Sequence, residues 1–313
     1  MPGYLREYKL ADMRAMIRNN RTPHARSSAS LAGKTALVAG GTSGVGLAAA
    51  RELARGGCDL ALLARNEEKA HRVAADLGAL SGRPVRCYRA DFSVLAEVHE
   101  TVDHISGVEP QLDILVNSAG VHSTRRHITP EGFELTYSVN HLAAFVVTCR
   151  LLPLLKRSPQ ARVIQVNSQG HRFNGLDVTD LNWRRRRYTG LRAYGASKTA
   201  QLLTVWELAD RLRGSSVTIN AMHPGEVRSA IGTNNGRLYN WYKRAILWRT
   251  LDDPRISGES IYYLAADPAL DGVSGAYFNR THEEKPAPHA LDRAVGRIVW
   301  KETLRMTGVS DDV

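Results

Sequence analysis

Tyr194 and Lys198 stand four residues apart in a segment that reads as helix, so a phenol and an ammonium project from one face. Such a pair suits proton delivery. When hydride adds to a carbonyl carbon, an acid must protonate the developing alkoxide, and a free phenol with a pKa of about 10 is poorly matched to neutral pH. A neighbouring ammonium stabilises the phenolate and lowers that pKa. The pair alone is a weak signal, because Tyr and Lys at this spacing are common on amphipathic helices. Two other polar residues stand at the ends of patterned segments: Ser168, just after the apolar run 163–166, and Asn140, in Ser138-Val139-Asn140. For each, the plain alternative is a polar residue satisfied by backbone.

A second group of residues suits a phosphate. Ala39-Gly40-Gly41-Thr42-Ser43-Gly44-Val45-Gly46 follows an apolar run and opens a helical pattern. Glycines there permit a tight turn and close backbone approach, and the helix N-terminus offers unpaired N–H groups to a pyrophosphate. Some twenty residues on, where an acid would take a ribose 2′-hydroxyl, stand Arg65 and Asn66. A guanidinium pairs with a 2′-phosphate through two charge-assisted hydrogen bonds, so Arg65 favours NADP; Glu67 nearby leaves NAD open.

The elements that must position these residues read from the alternation of patterns. Apolar runs at 35–39, 60–64, 85–88, 114–116, 163–166 and 217–221 are separated by longer helix-like segments. Short, uniformly apolar strands are covered on both faces, which predicts an α/β fold: a doubly wound parallel sheet of Rossmann type, helices on both sides, in one domain. The expected layout is an N-terminal extension over 1–32, the domain over 33–308 and a tail over 309–313. Leu5, Tyr8, Met13, Met16 and Ile17 would form one apolar face of a short helix in the extension, packed on the body, on a second subunit or on a membrane surface.

The spacing Gly40-x3-Gly44-x-Gly46 resembles the TGxxxGxG turn of the short-chain dehydrogenase/reductase family, with Ala39 in place of Thr. Asn117-Ser118-Ala119-Gly120 is similar to its NNAG segment, and Tyr194-x3-Lys198 to its catalytic pair. With Asp91, Asn140, Ser168 and Pro224-Gly225, these occur in family order over most of the chain. Gly132-Phe133-Glu134-Leu135, Val139-Asn140-His141-Leu142, Asp180-Leu181-Asn182-Trp183 and the segment 272–278 look like the retinol-dehydrogenase-like branch, as does the long interval from Ser168 to Tyr194.

The resemblance implies an NADP(H)-dependent oxidoreductase interconverting a carbonyl and an alcohol. Tyr194 would be the acid, Lys198 would tune it and bind the nicotinamide ribose, Ser168 would hold the substrate oxygen, and Asn140 would anchor a relay water. Cofactor contacts would come from Gly40, Thr42, Ser43, Gly44, Val45 and Gly46, then from Arg65, Asn66, Asp91 and Phe92. Asn117, Ala119 and Gly120 would follow, with Tyr194 and Lys198, and then Pro224, Gly225, Val227 and Ser229. The family is often oligomeric, so a homo-oligomer is expected. A cyclase, dehydratase or epimerase using the Tyr/Lys pair for acid–base work is the alternative, and a catalytically silent cofactor sensor is weaker still.

Composition narrows the remaining classes. Lys and Arg exceed Asp and Glu by 42 − 31 = 11, but the basic residues are scattered apart from the run 184–187, and no nucleic-acid-binding motif is present. That run could meet an acidic or carrier-bound substrate, but a solvated basic face is the preferred reading. Cys58, Cys87 and Cys149 are odd in number and form no CxxC, which predicts neither a disulfide framework nor a zinc site and fits a reducing cytoplasm. None of the histidines, His171 and His223 included, has metal-ligand spacing, so no metal is expected. The longest apolar stretch, 142–155, contains Arg150 and Pro153 and falls short of a bilayer span. Tyr239, Trp241, Tyr242 and Trp248 lie where this fold carries a variable substrate lid and suggest a hydrophobic carbonyl substrate; they would serve equally as core or subunit contact.

Overall fold

In strand β1 (Thr35–Ala39), Ala36 and Val38 pack on one side of a sheet and Leu37 and Ala39 on the other. Alternation with both sides apolar marks a strand covered by helices on each face. The structure, a computed structural model, describes residues 10–172, 175–227 and 252–312. Within them β1 is joined by β2 (Asp59–Ala64), β3 (Arg86–Arg89), β4 (Ile114–Asn117), β5 (Ala161–Val166), β6 (Val217–His223), β7 (Tyr277–Asn279) and β8 (His282–Glu283). The order is β3-β2-β1-β4-β5-β6-β7-β8, parallel throughout except for β8, which pairs antiparallel with β7. β1 lies between β2 and β4, so the chain winds outward in both directions from it. In such sheets the ligand crevice opens at the carboxyl ends of the strands flanking that reversal.

The six expected strands are present, with β5 beginning two residues earlier and β6 ending two residues later than the apolar runs. β7 and β8 were not expected. At three and two residues they are too short for a periodic signal, and β7 exists because β6 offers it an edge.

The described helices are α1 (Leu10–Arg21), α2 (Gly44–Arg55), α3 (Glu67–Ser81), α4 (Leu95–Val108), α5 (Leu135–Leu155), α6 (Gly190–Arg211), α7 (Arg255–Ala266) and α8 (Arg293–Thr307). Buried residues of α4, α5, α6 and α8 cover one face of the sheet, and those of α2, α3 and α7 cover the other. Among the described residues α5 is the one helix long and apolar enough to cross a membrane, and 89% of its apolar window is buried inside the fold. It is a core helix. Its first turns contain a π-helical turn at Ser138–Leu142, a device that shifts the following face and often marks functional sites.

The extension is packed on the body. Ala29 O accepts from the Tyr262 hydroxyl at 2.6 Å, Leu31 is buried, and His24 meets Glu259 at 2.6 Å. Asn19 is buried and donates to Glu284 at 3.1 Å. Of the expected apolar face, Leu5, Tyr8 and the side chains of Met13 and Met16 lie outside the described residues, and Ile17 is exposed rather than packed on the body.

Candidate active site

The glycine turn joins β1 to α2 at the carboxyl edge of the sheet. Gly40 has φ +82°, and a Cβ there would stand 2.7 Å from the N and Cα of Ala119. The turn is therefore pressed against the segment that follows β4. A Cβ on Gly46 would run into the Gly40 carbonyl, so this position lets α2 start hard against the turn. Ser43 is the N-cap of α2 but makes no side-chain capping bond, and the first helical turn carries no acid. The helix start thus keeps its N–H groups for an anion. Thr42, Gly44 and Val45 complete the turn, with Val45 packed against the apolar core beneath.

Arg65 follows β2, is 71% exposed at its side chain, and has Nη1 3.8 Å from a carboxylate oxygen of Asp91. At that separation across an exposed gap the guanidinium remains available to a stronger anionic partner. Asn66 reaches the same edge, but its Oδ1 caps α3 by accepting from Lys69 N at 2.7 Å. Glu67, the residue that leaves NAD open, faces His71 one turn along α3 at 3.7 Å. Asp91 Oδ1 accepts from the N and Oγ of Ser93, at 2.9 and 2.7 Å, and the Phe92 side chain is buried in the core. Asn117 ends β4 and donates to Thr148 Oγ1 at 2.8 Å. Beyond β6, Pro224 O accepts from Ser257 Oγ at 2.7 Å, Gly225 lies against the Arg280 side chain, and Val227 pairs with Asp252. Ser229 and the aromatic residues Tyr239, Trp241, Tyr242 and Trp248 lie outside the described residues.

The four expected catalytic side chains converge beside this edge. Tyr194 and Lys198 sit on α6, whose N-cap Thr189 accepts from Arg192 N. The Ser168 hydroxyl, after β5, faces Tyr194 across Gly170, whose Cα side is lined by both the Tyr194 ring and Ser168 Oγ. That hydroxyl accepts from Gly170 N at 3.0 Å. The Lys198 Nζ lies 5.7 Å from the centre of the Tyr194 ring and donates to Val166 O and Gln201 Oε1, each at 3.0 Å. Asn140 sits in the π-turn of α5, fully buried. Its Oδ1 accepts from Val121 N at 2.7 Å, and its Nδ2 donates to Val121 O and Ser197 Oγ, each at 3.0 Å. Gly120, just before Val121, packs against this amide.

The electrostatics correct one expectation. Lys198 was expected to lower the Tyr194 pKa, yet burial pushes the phenol up to about 12, against the lowering effect of the Ser168 hydroxyl and with a further rise from Glu226. Burial likewise pushes Lys198 down to about 7. Removing a phenolate from water costs more than the Ser168 hydroxyl returns, and the Lys198 ammonium is aimed at Val166 O and Gln201 Oε1. At neutral pH the phenol therefore holds its proton and can donate it. Asn140 is tied into the site on every side: its side-chain amide is bonded to Val121 and Ser197, and its backbone carbonyl accepts one hydrogen bond, from Gln201 Nε2.

Several residues outside the expected catalytic and cofactor sets support the site, among them His171, which the sequence marks as a structural hydrogen-bonder rather than a ligand. Gly170 lies against the Tyr194 ring; a Cβ there would stand 2.9 Å from Tyr194 Cε1. His171 accepts from Ala287 N at Nε2, so its Nδ1 carries hydrogen and donates to Ser168 O at 2.7 Å, fixing the serine turn from behind. The buried Glu284 gathers Gln169 Nε2, Arg172 Nη2, Asn279 Nδ2 and Asn19 Nδ2 at 2.7, 2.6, 3.0 and 3.1 Å. Burial raises its carboxyl, but hydrogen bonds from Gln169 and Asn279 and the Arg172 charge hold it below the usual range. Glu134 N donates to Asn182 Oδ1 at 2.9 Å, and Asp180 collects the backbone N–H groups of Arg184, Arg185 and Arg186. The segments singled out around 132–135 and 180–183 are thus tied to each other and to the stretch of chain that leads into α6. Their signal was present as polar residues at fixed places, but no local pattern reveals which distant backbone each would meet.

Comparison with known proteins agrees with this geometry. A family model described as short chain dehydrogenase matches residues 34–238. Human retinol dehydrogenase 13 is 37% identical over 288 residues, covering 90% of this chain and 87% of its own. Mouse polyprenol dehydrogenase is 33% identical over 283 residues, with coverage of 88% and 84%. The crystal structure of an uncharacterized protein from Mycobacterium Paratuberculosis is similar with a TM-score of 0.74 at 27% identity, covering 91% of this chain and 97% of that one. With most of its length under one family model and relatives of this identity spanning nearly all of it, the chain belongs to the short-chain dehydrogenase/reductase family, in the retinol-dehydrogenase-like branch.

Proposed function

We propose that this chain is an NADP(H)-dependent oxidoreductase that interconverts a carbonyl and an alcohol on a hydrophobic small molecule, with Tyr194 as the acid and base. The observation that carries the reading is the meeting of Ser168, Tyr194 and Lys198 at the sheet edge beside the glycine turn. The residues present fit a dinucleotide. Gly40 and Gly46 leave the space that a Cβ would fill, and α2 presents an uncapped start. Arg65 supports the 2′-phosphate form through charge and exposure. When bound, the nicotinamide supplies or takes the hydride.

The chain's own residues do the rest. Ser168 and Tyr194 hold the substrate oxygen between their hydroxyls, and Tyr194 releases its proton to that oxygen as the carbonyl carbon becomes tetrahedral. His171 and Gly170 keep Ser168 in place, while the Lys198 ammonium compensates the phenolate left behind. A hydrophobic substrate is supported by relatives named for retinol and polyprenol. A reducing compartment such as the cytoplasm belongs to the same reading, supported by three cysteines that remain free.

The reading is tested by following NADPH and NADH oxidation in parallel across hydrophobic aldehydes and ketones. We expect turnover that prefers NADPH by about tenfold or more. Equal rates with NADH would remove the role given to Arg65. Conversion of a substrate with no change in nicotinamide absorbance would point to acid–base chemistry without redox.

A further inference from the structure

Gln201 lies one turn beyond Lys198 on α6 and is 2% exposed. Its Oε1 accepts from Lys198 Nζ and from Asn167 Nδ2, each at 3.0 Å, and its Nε2 donates to the backbone carbonyl of Asn140. These partners leave the amide one orientation. Turned over, it would set its NH2 against an ammonium and another NH2, and its oxygen against a carbonyl. Asn167 reinforces the arrangement: its Nδ2 also donates to Lys198 O at 2.9 Å, and its Oδ1 accepts from Ser168 N at 2.8 Å. One buried amide therefore joins the lysine, the serine strand end and the π-turn of α5.

We propose that Gln201 is a positioning residue for the reaction, holding the Lys198 ammonium on its Oε1 and anchoring it through its Nε2 to the Asn140 carbonyl. The proposal rests on the role given to Lys198 above. A primary amide fixes two groups relative to each other without carrying a proton between them. Its connection from Lys198 to Asn140 is mechanical, where the family resemblance placed a relay water. An amide rather than a carboxylate at this place also leaves the ammonium without a paired carboxylate among the described residues. That agrees with burial alone pushing Lys198 down to about 7.

The test uses two variants of the full chain. Gln201→Leu removes the acceptor and the anchor. Gln201→Glu keeps an acceptor for Lys198 but sets a carboxylate oxygen against the Asn140 carbonyl. The first readout is independent of turnover: titration of the Lys198 ammonium by NMR in protein labelled at lysine nitrogen, assigned by its loss in Lys198→Met. We expect the midpoint to rise by about one pH unit or more in Gln201→Glu, and to fall in Gln201→Leu. The second readout is kcat across pH, with about a tenfold loss in Gln201→Leu and a profile displaced in the same direction as the titration. A wild-type midpoint in both variants, with native melting and kcat, would overturn the proposal. If Gln201→Leu does not fold, an unmoved midpoint in Gln201→Glu overturns it alone. If the wild type turns over no carbonyl while the midpoints still move as stated, the reaction assignment falls and the contact between Gln201 and Lys198 stands.

Discussion

Substituting Gly40 by Ala combines two costs that the structure separates. With φ at +82°, an L side chain sits in the left-handed region, which costs roughly 1–2 kcal/mol. The new Cβ would also stand 2.7 Å from the N and Cα of Ala119, and ordinary contact begins at 3.4 Å, so the backbone must part by 3.4 − 2.7 = 0.7 Å. Neither neighbour is a flexible side chain, and overpacking of this kind adds roughly 1–3 kcal/mol. We therefore expect Gly40→Ala to lose roughly 2–5 kcal/mol in urea unfolding. Dinucleotide affinity, measured by quenching of protein fluorescence, should fall by at least about tenfold, because a displacement above about 0.5 Å spoils a preorganised cradle. Gly82 is the control. It ends α3 with φ +69° and nothing within 4 Å of a Cβ, so Gly82→Ala should lose only the first contribution and bind dinucleotide normally. Undiminished dinucleotide binding by Gly40→Ala, or equal destabilisation of the two variants, would refute the reasoning.

Two further outcomes follow from single residues. Arg65→Ser should raise the KM for NADPH by about tenfold or more while leaving the KM for NADH nearly unchanged, read from initial rates; a parallel change in both would deny the guanidinium its selective role. Burial holds His141 at about 3 and His223 at about 4, below the ordinary 6.5, so the unfolded chain takes up protons below pH 6.5 that the folded chain refuses. Stability is then full above 6.5 and is lost as pH falls toward those lower values. Between about pH 7.5 and pH 5 the loss is roughly 2 kcal/mol per histidine. Urea unfolding at both pH values checks it, and His141→Met should flatten the dependence; a stability unchanged over this range would contradict it.

The sheet was legible because its strands state their environment locally. Leu37 and Val38 belong to opposite cores, and a run apolar on both faces has few other uses. The glycine turn and the Tyr194/Lys198 pair were legible for a similar reason, since their chemistry is set by spacing within one turn or one helix. Gln201 was nearly legible, standing three residues after Lys198 and hence on its face, but its other partners come from residues far along the chain. Glu284 was not legible, and His171 was legible only as a structural hydrogen-bonder without its partners. Their meaning depends on which buried donors and acceptors tertiary packing brings to them, and no periodicity encodes that. The direction of the Tyr194 shift failed for the same reason: charge proximity was read from spacing, while the degree of burial that outweighs it is a property of the assembled site.

The central claim is that the Tyr194 hydroxyl delivers the proton. Tyr194→Phe removes that oxygen and keeps the ring that packs edge-on to His122 and against Gly170. Single-turnover reduction of a carbonyl substrate, measured alongside dinucleotide affinity, tests the claim most directly. The account predicts a rate lower by about 10²–10⁴-fold with affinity unchanged. A variant that binds dinucleotide as the wild type does and still reduces the carbonyl at a comparable rate would contradict it.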